Sequence, residues 1–353
     1  MLTVKNDKYI KDIHFETAED FLKSISYGGQ YYNLLNNDFI FRGHSSDNYL
    51  LLPSALRSYL FEDVFHNSNK DENHKRISIS ELGQIIAEAH LLFSFYKMCD
   101  NTSLKIPNEQ RLRELFSYPI DPRLLFVKGH WISEEYQELA ALAQHHGIPT
   151  RLLDWTSNIN VALYFASSSV VRSMISDDKF TMTESYNYFK LQLNKLLNIR
   201  NKQTDSLDVK NLEIWALDTK VLFVAKKFDI PLKIVRPMYY NNPNLSAQKG
   251  VLTYWQVDKP IVKIDGKLKP NFSILRNEDT LDSQIVNYLE DRKLEDRTYI
   301  YHFTIPHSGA IELYEYAKRN YCDACFLFPG YDGVVRCIEE DDYVQCLKNE
   351  EVK

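Results

Sequence analysis

The chain has 353 residues, 44% of them hydrophobic and 25% charged, a globular composition with ample material for a core. A formal net charge of -6 argues against a broad nucleic-acid-binding surface, and 11 glycines leave no room for a glycine-rich phosphate loop. No apolar run approaches the ~20 residues that span a bilayer, and the first residues lack a signal peptide's apolar core, so a cytoplasmic location with no membrane contact is expected.

Residues 15–26 begin with Thr17 and, three positions on, Asp20, as in a capping box. Phe21, Leu22 and Ile25 follow as an apolar stripe, which predicts a short amphipathic helix. Residues 38–43, DFIFRG, read as a strand with Phe39 and Phe41 on one face and Ile40 and Arg42 on the other. Arginine is seldom buried without a partner, so Arg42 reads either as half of an internal ion pair or as a ligand-binding group. Residues 50–56 run from extended chain into a turn, and 66–76 form a polar loop. Residues 81–99 are strongly helical, with Leu82, Ile85, Ala89, Leu92 and Tyr96 on one side. Glu88 on that helix reads as a buried structural partner for Arg42 or Arg57. Between 101 and 122 only 109–116 reads as helix. Residues 133–145 form a further helix with Tyr136, Leu139, Ala140 and Ala143 inward.

That helix leads into QHHGIPTRLLDWTSNINVALYFA, residues 144–166. Gly147 and Pro149 make a turn, and 150–155 read as a short strand. Thr156 and Ser157 stand where a helix N-cap belongs. Val161, Leu163, Tyr164 and Phe165 then follow at helical spacing, with Ala162 and Ala166 permitting close packing. The corner gathers Arg151, Asp154, Trp155, Thr156 and Ser157 beside helix N–H groups, a setting that suits an anionic or polar ligand. The same residues also read as an Arg151–Asp154 ion pair stapled beneath a core helix.

Residues 173–211 are polar and read as an insertion with a helix at 189–199. Strands are predicted at 212–217, 232–235, 251–257 and 299–305, and helices from 280 and over 310–320. Residues 326–333 end in PGYDG, a turn by residue type, and 339–342 are an acidic run expected to face solvent. Cys322 and Cys325 have C-x-x-C spacing, but Cys337 and Cys346 do not complete a zinc knuckle. All four read as structural thiols, and no metal is expected. Helices dominate the first half and short strands the second. The expected fold is one α+β domain over 1–353 with a mostly antiparallel sheet, a helical part at about 50–145 and a polar insertion at about 173–211.

Phe41-Arg42-Gly43, followed by Leu52-Pro53-Ser54 and Arg57, resembles the opening of the FRG-domain family. Residues 144–166 are similar to that family's second block. Gln248-Lys249-Gly250 before a strand resembles a third, with Asn244 where an arginine is expected, and 327–333 resemble its ending. A fainter similarity is to the ADP-ribosyltransferase-like superfamily. Its strand arginine corresponds to Arg42, its Ser-Thr-Ser to Asp154-Trp155-Thr156, and its late glutamate to Gln248.

That similarity implies a small split antiparallel sheet with flanking helices and a helical insertion. It implies NAD as substrate and transfer of ADP-ribose to a macromolecular acceptor or to water, in a toxin or a phage-defence protein. The alternative is a non-catalytic nucleotide- or protein-binding module on the same fold. The implied catalytic residues are Arg42, Asp154 and Gln248; those implied to bind substrate are Gly43, Arg151, Trp155, Thr156, Ser157 and Tyr164. A guanidinium fork matches a pyrophosphate, and a carboxylate near the ribose stabilises the oxocarbenium-like state formed when nicotinamide leaves. Gln248 is an amide, able to hydrogen-bond a ribose hydroxyl but not to act as a base, so Asp154 is the candidate carboxylate.

Overall fold

A computed structural model of the chain describes residues 3–6, 8–35, 38–57, 80–116, 130–174, 211–224, 230–237, 242–258, 261–264, 267–271, 273–294 and 297–351. The polar loop expected at 66–76 and the helix expected at 189–199 lie outside the described residues, as does nearly all of the 173–211 insertion.

One eight-stranded sheet organises the molecule. Its strands are β1 (Thr3–Asn6), β2 (Ile10–His14), β3 (Phe39–His44), β5 (Leu153–Thr156), β6 (Asn211–Asp218), β7 (Leu232–Val235), β8 (Gly250–Trp255) and β12 (Ile300–Pro306). They lie in the order β1-β2-β12-β6-β3-β5-β8-β7, and every pairing is antiparallel except β12 with β2. Two small pairs stand apart: β4 (His130–Trp131) with β9 (Val257–Asp258), and the hairpin of β10 (Ile261–Ile264) and β11 (Lys267–Pro270).

A mixed α+β fold with a mostly antiparallel sheet is therefore what the chain forms. The sheet is continuous rather than two separate halves, but its centre is thin. β3 and β5 are joined through the single pair Phe41–Thr156, whereas β3 pairs with β6 over six residues and β5 with β8 over four.

The helices explain why one face of the sheet carries a hollow. Over β2, β12, β6 and β3 lie α1 (Ala18–Ile25), α5 (Ile159–Met174) and α9 (Ala310–Arg319). They bury Ile13, Phe41, Ile214, Ala216, Phe303 and Ile305 with Leu163, Val170 and Leu313. Over β7 and β8 lie α2 (Glu81–Asn101), α3 (Glu109–Phe116) and α4 (Glu134–His145), packed on Val235, Leu252 and Tyr254. Residues that pair across strands share a face, so Phe41, Thr156, Gly250 and Leu252 all point toward this helical side. The two helical groups cover its two ends and leave the β3–β5 junction between them. The opposite face packs Ile40, Trp155, Leu217 and Val251 under α8 (Leu281–Asp291).

Gly43 shows how closely the first group approaches. A Cβ built there would lie 2.0 Å from the carbonyl oxygen of Ala162 on α5, so no other residue fits without moving strand from helix.

The C-terminal segment departs from expectation. Tyr331, Asp332 and Gly333 of the predicted turn begin a helix, α11 (Tyr331–Glu351), after the short α10 (Ala324–Leu327). The acidic run at 339–342 is not a solvated face throughout, because Glu340 is fully buried. It accepts from Tyr164 Oη at 2.9 Å, Arg336 Nε at 2.9 Å, Arg172 Nη1 at 3.1 Å and Tyr314 Oη at 3.3 Å. Two cations and two hydroxyls offset the cost of taking that carboxylate out of water.

Candidate functional site

A cleft of about 640 Å³ opens at the β3–β5 junction. β3 contributes Arg42, Gly43 and His44; β5 contributes Asp154, Trp155 and Thr156. Gln248 comes from the turn after the short α7 (Pro243–Ala247), and Phe165 and Phe328 add aromatic edges. The structure thus brings six of the residues singled out from sequence to one hollow: Arg42, Gly43, Asp154, Trp155, Thr156 and Gln248.

Arg42 leaves β3 on the face opposite Phe41 and reaches across the gap that the single β3–β5 pair leaves open. Its Nη1 donates to the carbonyl oxygen of Asp154 at 2.6 Å and lies 3.9 Å from that residue's carboxylate, while its Nε donates to His44 Nε2 at 2.9 Å. Among the described residues Nη2 has no partner. Burial pulls the Arg42 pKa down and Asp154 pulls it back up; arginine nonetheless remains a cation. Arg57, whose Nε and Nη2 donate to Leu52 O at 3.3 Å, adds a second positive group to the lining. Against these two cations stands one carboxylate, Asp154, so the cleft carries an excess of positive charge despite the acidic chain.

Asp154 is exposed, and its Oδ1 accepts from Gln144 Nε2 at 2.6 Å. Thr150 donates in turn to Gln144 Oε1, which fixes the amide's orientation. Thr156 Oγ1 accepts from the Asn158 N–H at 3.0 Å and donates to Gln248 O at 2.8 Å, tying the β5 corner to the opposite wall. Gln248 Nε2 donates to Leu327 O at 3.1 Å, which leaves Oε1 without a partner among the described residues. Trp155 is buried, with Nε1 donating to Thr253 Oγ1 at 2.8 Å, so its ring belongs chiefly to the core beneath the cleft.

The remaining predicted residues do not face the cleft. Arg151 is sealed away from the cleft beneath α2, with Nη2 2.5 Å from Glu81 Oε1 and Nε 2.8 Å from both oxygens of Glu88. The anticipated Arg151–Asp154 pair does not form, and Glu88 meets Arg151 rather than Arg42 or Arg57. Arg151 lies two residues before β5, where the chain runs beneath α2. Tyr164 is fully buried against Glu340. Ser157 is exposed outside the lining, its N–H donating to Lys249 O at 3.1 Å. Helix α5 begins two residues later than the predicted cap, and Asn158 Oδ1 accepts from Asn160 N at 3.1 Å in the capping role.

Gln144, His44, Tyr49, Arg57 and Phe328 belong to the site but were not singled out for it. His44 had a signal, since it follows Arg42 by two in a strand and so shares its face. Phe328 lies in the 327–333 stretch that resembles the family's ending, but nothing local in that stretch shows that it reaches β3.

As for metals, among the described residues Asp323, Cys325 and Cys337 offer three donor atoms within 4.8 Å of one another. Asp323 Oδ1 already accepts from the Phe326 N–H at 3.1 Å as the cap of α10. No described helix is long and apolar enough to cross a membrane.

The molecule is thus a mixed α+β protein with a cationic cleft at a weakly joined point of its central sheet. Residues 37–173 match the family model of the FRG domain. The match includes β3, β5 and α5, hence Arg42, Gly43, Asp154 and Thr156, but not Gln248. No curated protein and no solved structure matches the chain.

Proposed function

We propose that the cleft binds NAD or a related nucleotide and that the chain is an ADP-ribosyltransferase-like enzyme, passing ADP-ribose to a macromolecular acceptor or to water. One observation carries this reading: Arg42, Asp154, Thr156 and Gln248, from three separate parts of the sequence, line one hollow of about 640 Å³, within the range of small-molecule sites. The guanidinium of Arg42 holds the pyrophosphate, assisted by Arg57. Gln248 Oε1 accepts from a ribose hydroxyl. As the bond from ribose C1′ to the nicotinamide nitrogen breaks, nicotinamide departs neutral with the electron pair, and Asp154 stabilises the positive charge left on the ribose. The acceptor oxygen then attacks C1′, and its proton passes to Asp154 or to water.

The test compares wild type with Arg42→Ala by thermal shift and calorimetry with NAD, and with Asp154→Asn by nicotinamide release. NAD binding lost in Arg42→Ala, with release lost in Asp154→Asn, supports the enzyme. Absence of NAD binding by the wild type overturns it. A second reading, a non-catalytic binding module on this fold, is favoured by the amide at Gln248 and by the hydrogen bond that Gln144 makes to Asp154. Its outcome is NAD affinity that depends on Arg42 with no release of nicotinamide.

A further inference from the structure

Behind Arg42 runs a line of polar contacts that crosses four strands on one face of the sheet. Arg42 Nε donates to His44 Nε2 at 2.9 Å, and His44 Nδ1 lies 3.2 Å from Glu213 Oε2. The other oxygen, Oε1, is 2.8 Å from His302 Nε2, and His302 Nδ1 is 2.9 Å from Asp12 Oδ1. Strand register produces this directly: His44 is opposite Glu213, Arg42 and His302 are both opposite Trp215, and His302 is opposite Asp12.

The partners fix the protons. A ring nitrogen that accepts from a guanidinium carries no proton, so neutral His44 bears its hydrogen on Nδ1 and gives it to Glu213. His302 stands between two carboxylates, donates from both nitrogens and is an imidazolium. The ring of Trp215 stacks on it with centroids 3.9 Å apart, and Trp215 Nε1 donates to Glu213 Oε2 at 3.2 Å. From Asp12 the charges therefore read minus, plus, minus, neutral, plus. The neutral imidazole between Glu213 and Arg42 is the informative member. A carboxylate placed directly on Arg42 would hold the guanidinium and also quench it, whereas His44 holds it and leaves its charge facing the cleft.

We infer that Asp12, His302, Glu213 and His44 are positioning residues, a relay that aims the Arg42 guanidinium into the cleft while leaving its charge for an anionic ligand. The ligand side of this inference rests on the proposed nucleotide site; the relay itself does not. Asp12 lies three strands from β3, about 14 Å away at ordinary strand spacing, so it does not touch the phosphate group held at the Arg42 guanidinium.

The experiment is side-chain ¹⁵N NMR of the full chain, wild type and Asp12→Asn, with His302→Gln as a second variant, each titrated with NAD. Expected are a His44 ring protonated on Nδ1, an Arg42 Nε–H slow to exchange, and, in folded Asp12→Asn, faster Nε–H exchange with NAD affinity roughly 5- to 20-fold weaker. A His44 ring protonated on Nε2 in the wild type overturns the relay. So does a folded Asp12→Asn with unchanged Arg42 Nε–H exchange and unchanged affinity. A purely structural role would lower the melting temperature and move neither reading. Should the wild type bind no NAD, the nucleotide reading fails alone, and the His44 tautomer and the Arg42 exchange decide the relay.

Discussion

Arg42 lies on β3 and Arg151 just before the neighbouring β5, and both belong to the blocks that resemble known motifs, yet their surroundings differ in kind. Arg151 is 3% exposed and closed in by the two carboxylates of Glu81 and Glu88, with Trp131 Nε1 donating to Glu88 at 2.7 Å and Gln84 donating to the same residue at 2.8 Å. Every charge there is answered within the protein. Arg42 is held by a neutral ring and a backbone carbonyl, its nearest carboxylate is 3.9 Å away, and 17% of its side chain remains exposed. A buried cation whose charge is cancelled locally is scaffold. One that is oriented and only partly offset, by an exposed carboxylate, is available to a ligand.

The largest expected effect falls on the cancelled arginine. Arg151→Met leaves two buried carboxylates without their cation and should cost about 3–5 kcal/mol in chemical denaturation; a loss below ~1 kcal/mol would mean that Glu81 and Glu88 take up protons or water readily, and the contrast would weaken.

Next comes Gly43→Ala, whose new methyl meets the backbone of Ala162. It should destabilise by up to about 3 kcal/mol and displace β3 from α5. A crystal structure with an unmoved Arg42 would separate the glycine from the site.

The third effect is pH-dependent. Burial depresses the His302 pKa, but Asp12 and Glu213 override it and raise it to about 9. Burial likewise pushes Glu213 up, but the hydrogen bonds of His302 and His44 bring it down to about 2. The stabilisation from His302 is therefore complete below its unfolded value near 6.5 and is lost as pH rises through about 9. That from Glu213 is complete above about 4.5 and is lost as pH falls toward 2. The two shifts describe one pairing, worth no more than about 3 kcal/mol. A stability profile flat between pH 7 and 10 in wild type but not in His302→Gln would break this assignment.

The smallest effect on stability belongs to Arg42→Ala, about 1 kcal/mol or less, accompanied by loss of NAD binding of at least ~10-fold. An Arg42 variant that unfolds like Arg151→Met would erase the distinction between the two arginines.

What could be read from sequence follows from how each element is held. Helices at 109–116, 134–145 and 310–319 and strands at 39–44 and 232–235 carry their own periodicity, so they were legible. Helix α11 was not, because its pattern is inverted: Tyr331, Val334, Val335 and Ile338 are exposed while Glu340 is buried. Strand β2 was missed because its place is set by β12, 290 positions away. Within the site, the residue types at Arg42, Asp154 and Thr156 drew attention through their motifs. The division of labour between Arg42 and Arg151 was hidden, since it depends on which carboxylates the tertiary fold delivers.

The thin junction at Phe41–Thr156 has a practical consequence for anyone trimming the chain. The FRG-domain match ends at 173, whereas β3 draws most of its backbone pairing from β6 at 211–218, and α5 is roofed by α9 and α11 near the end of the described chain. A clone cut to the recognised boundaries would contain Arg42 and Asp154 but neither Glu213 nor the wall bearing Gln248. The matched stretch is thus a label, and the sheet that holds the cleft extends well beyond it on both sides.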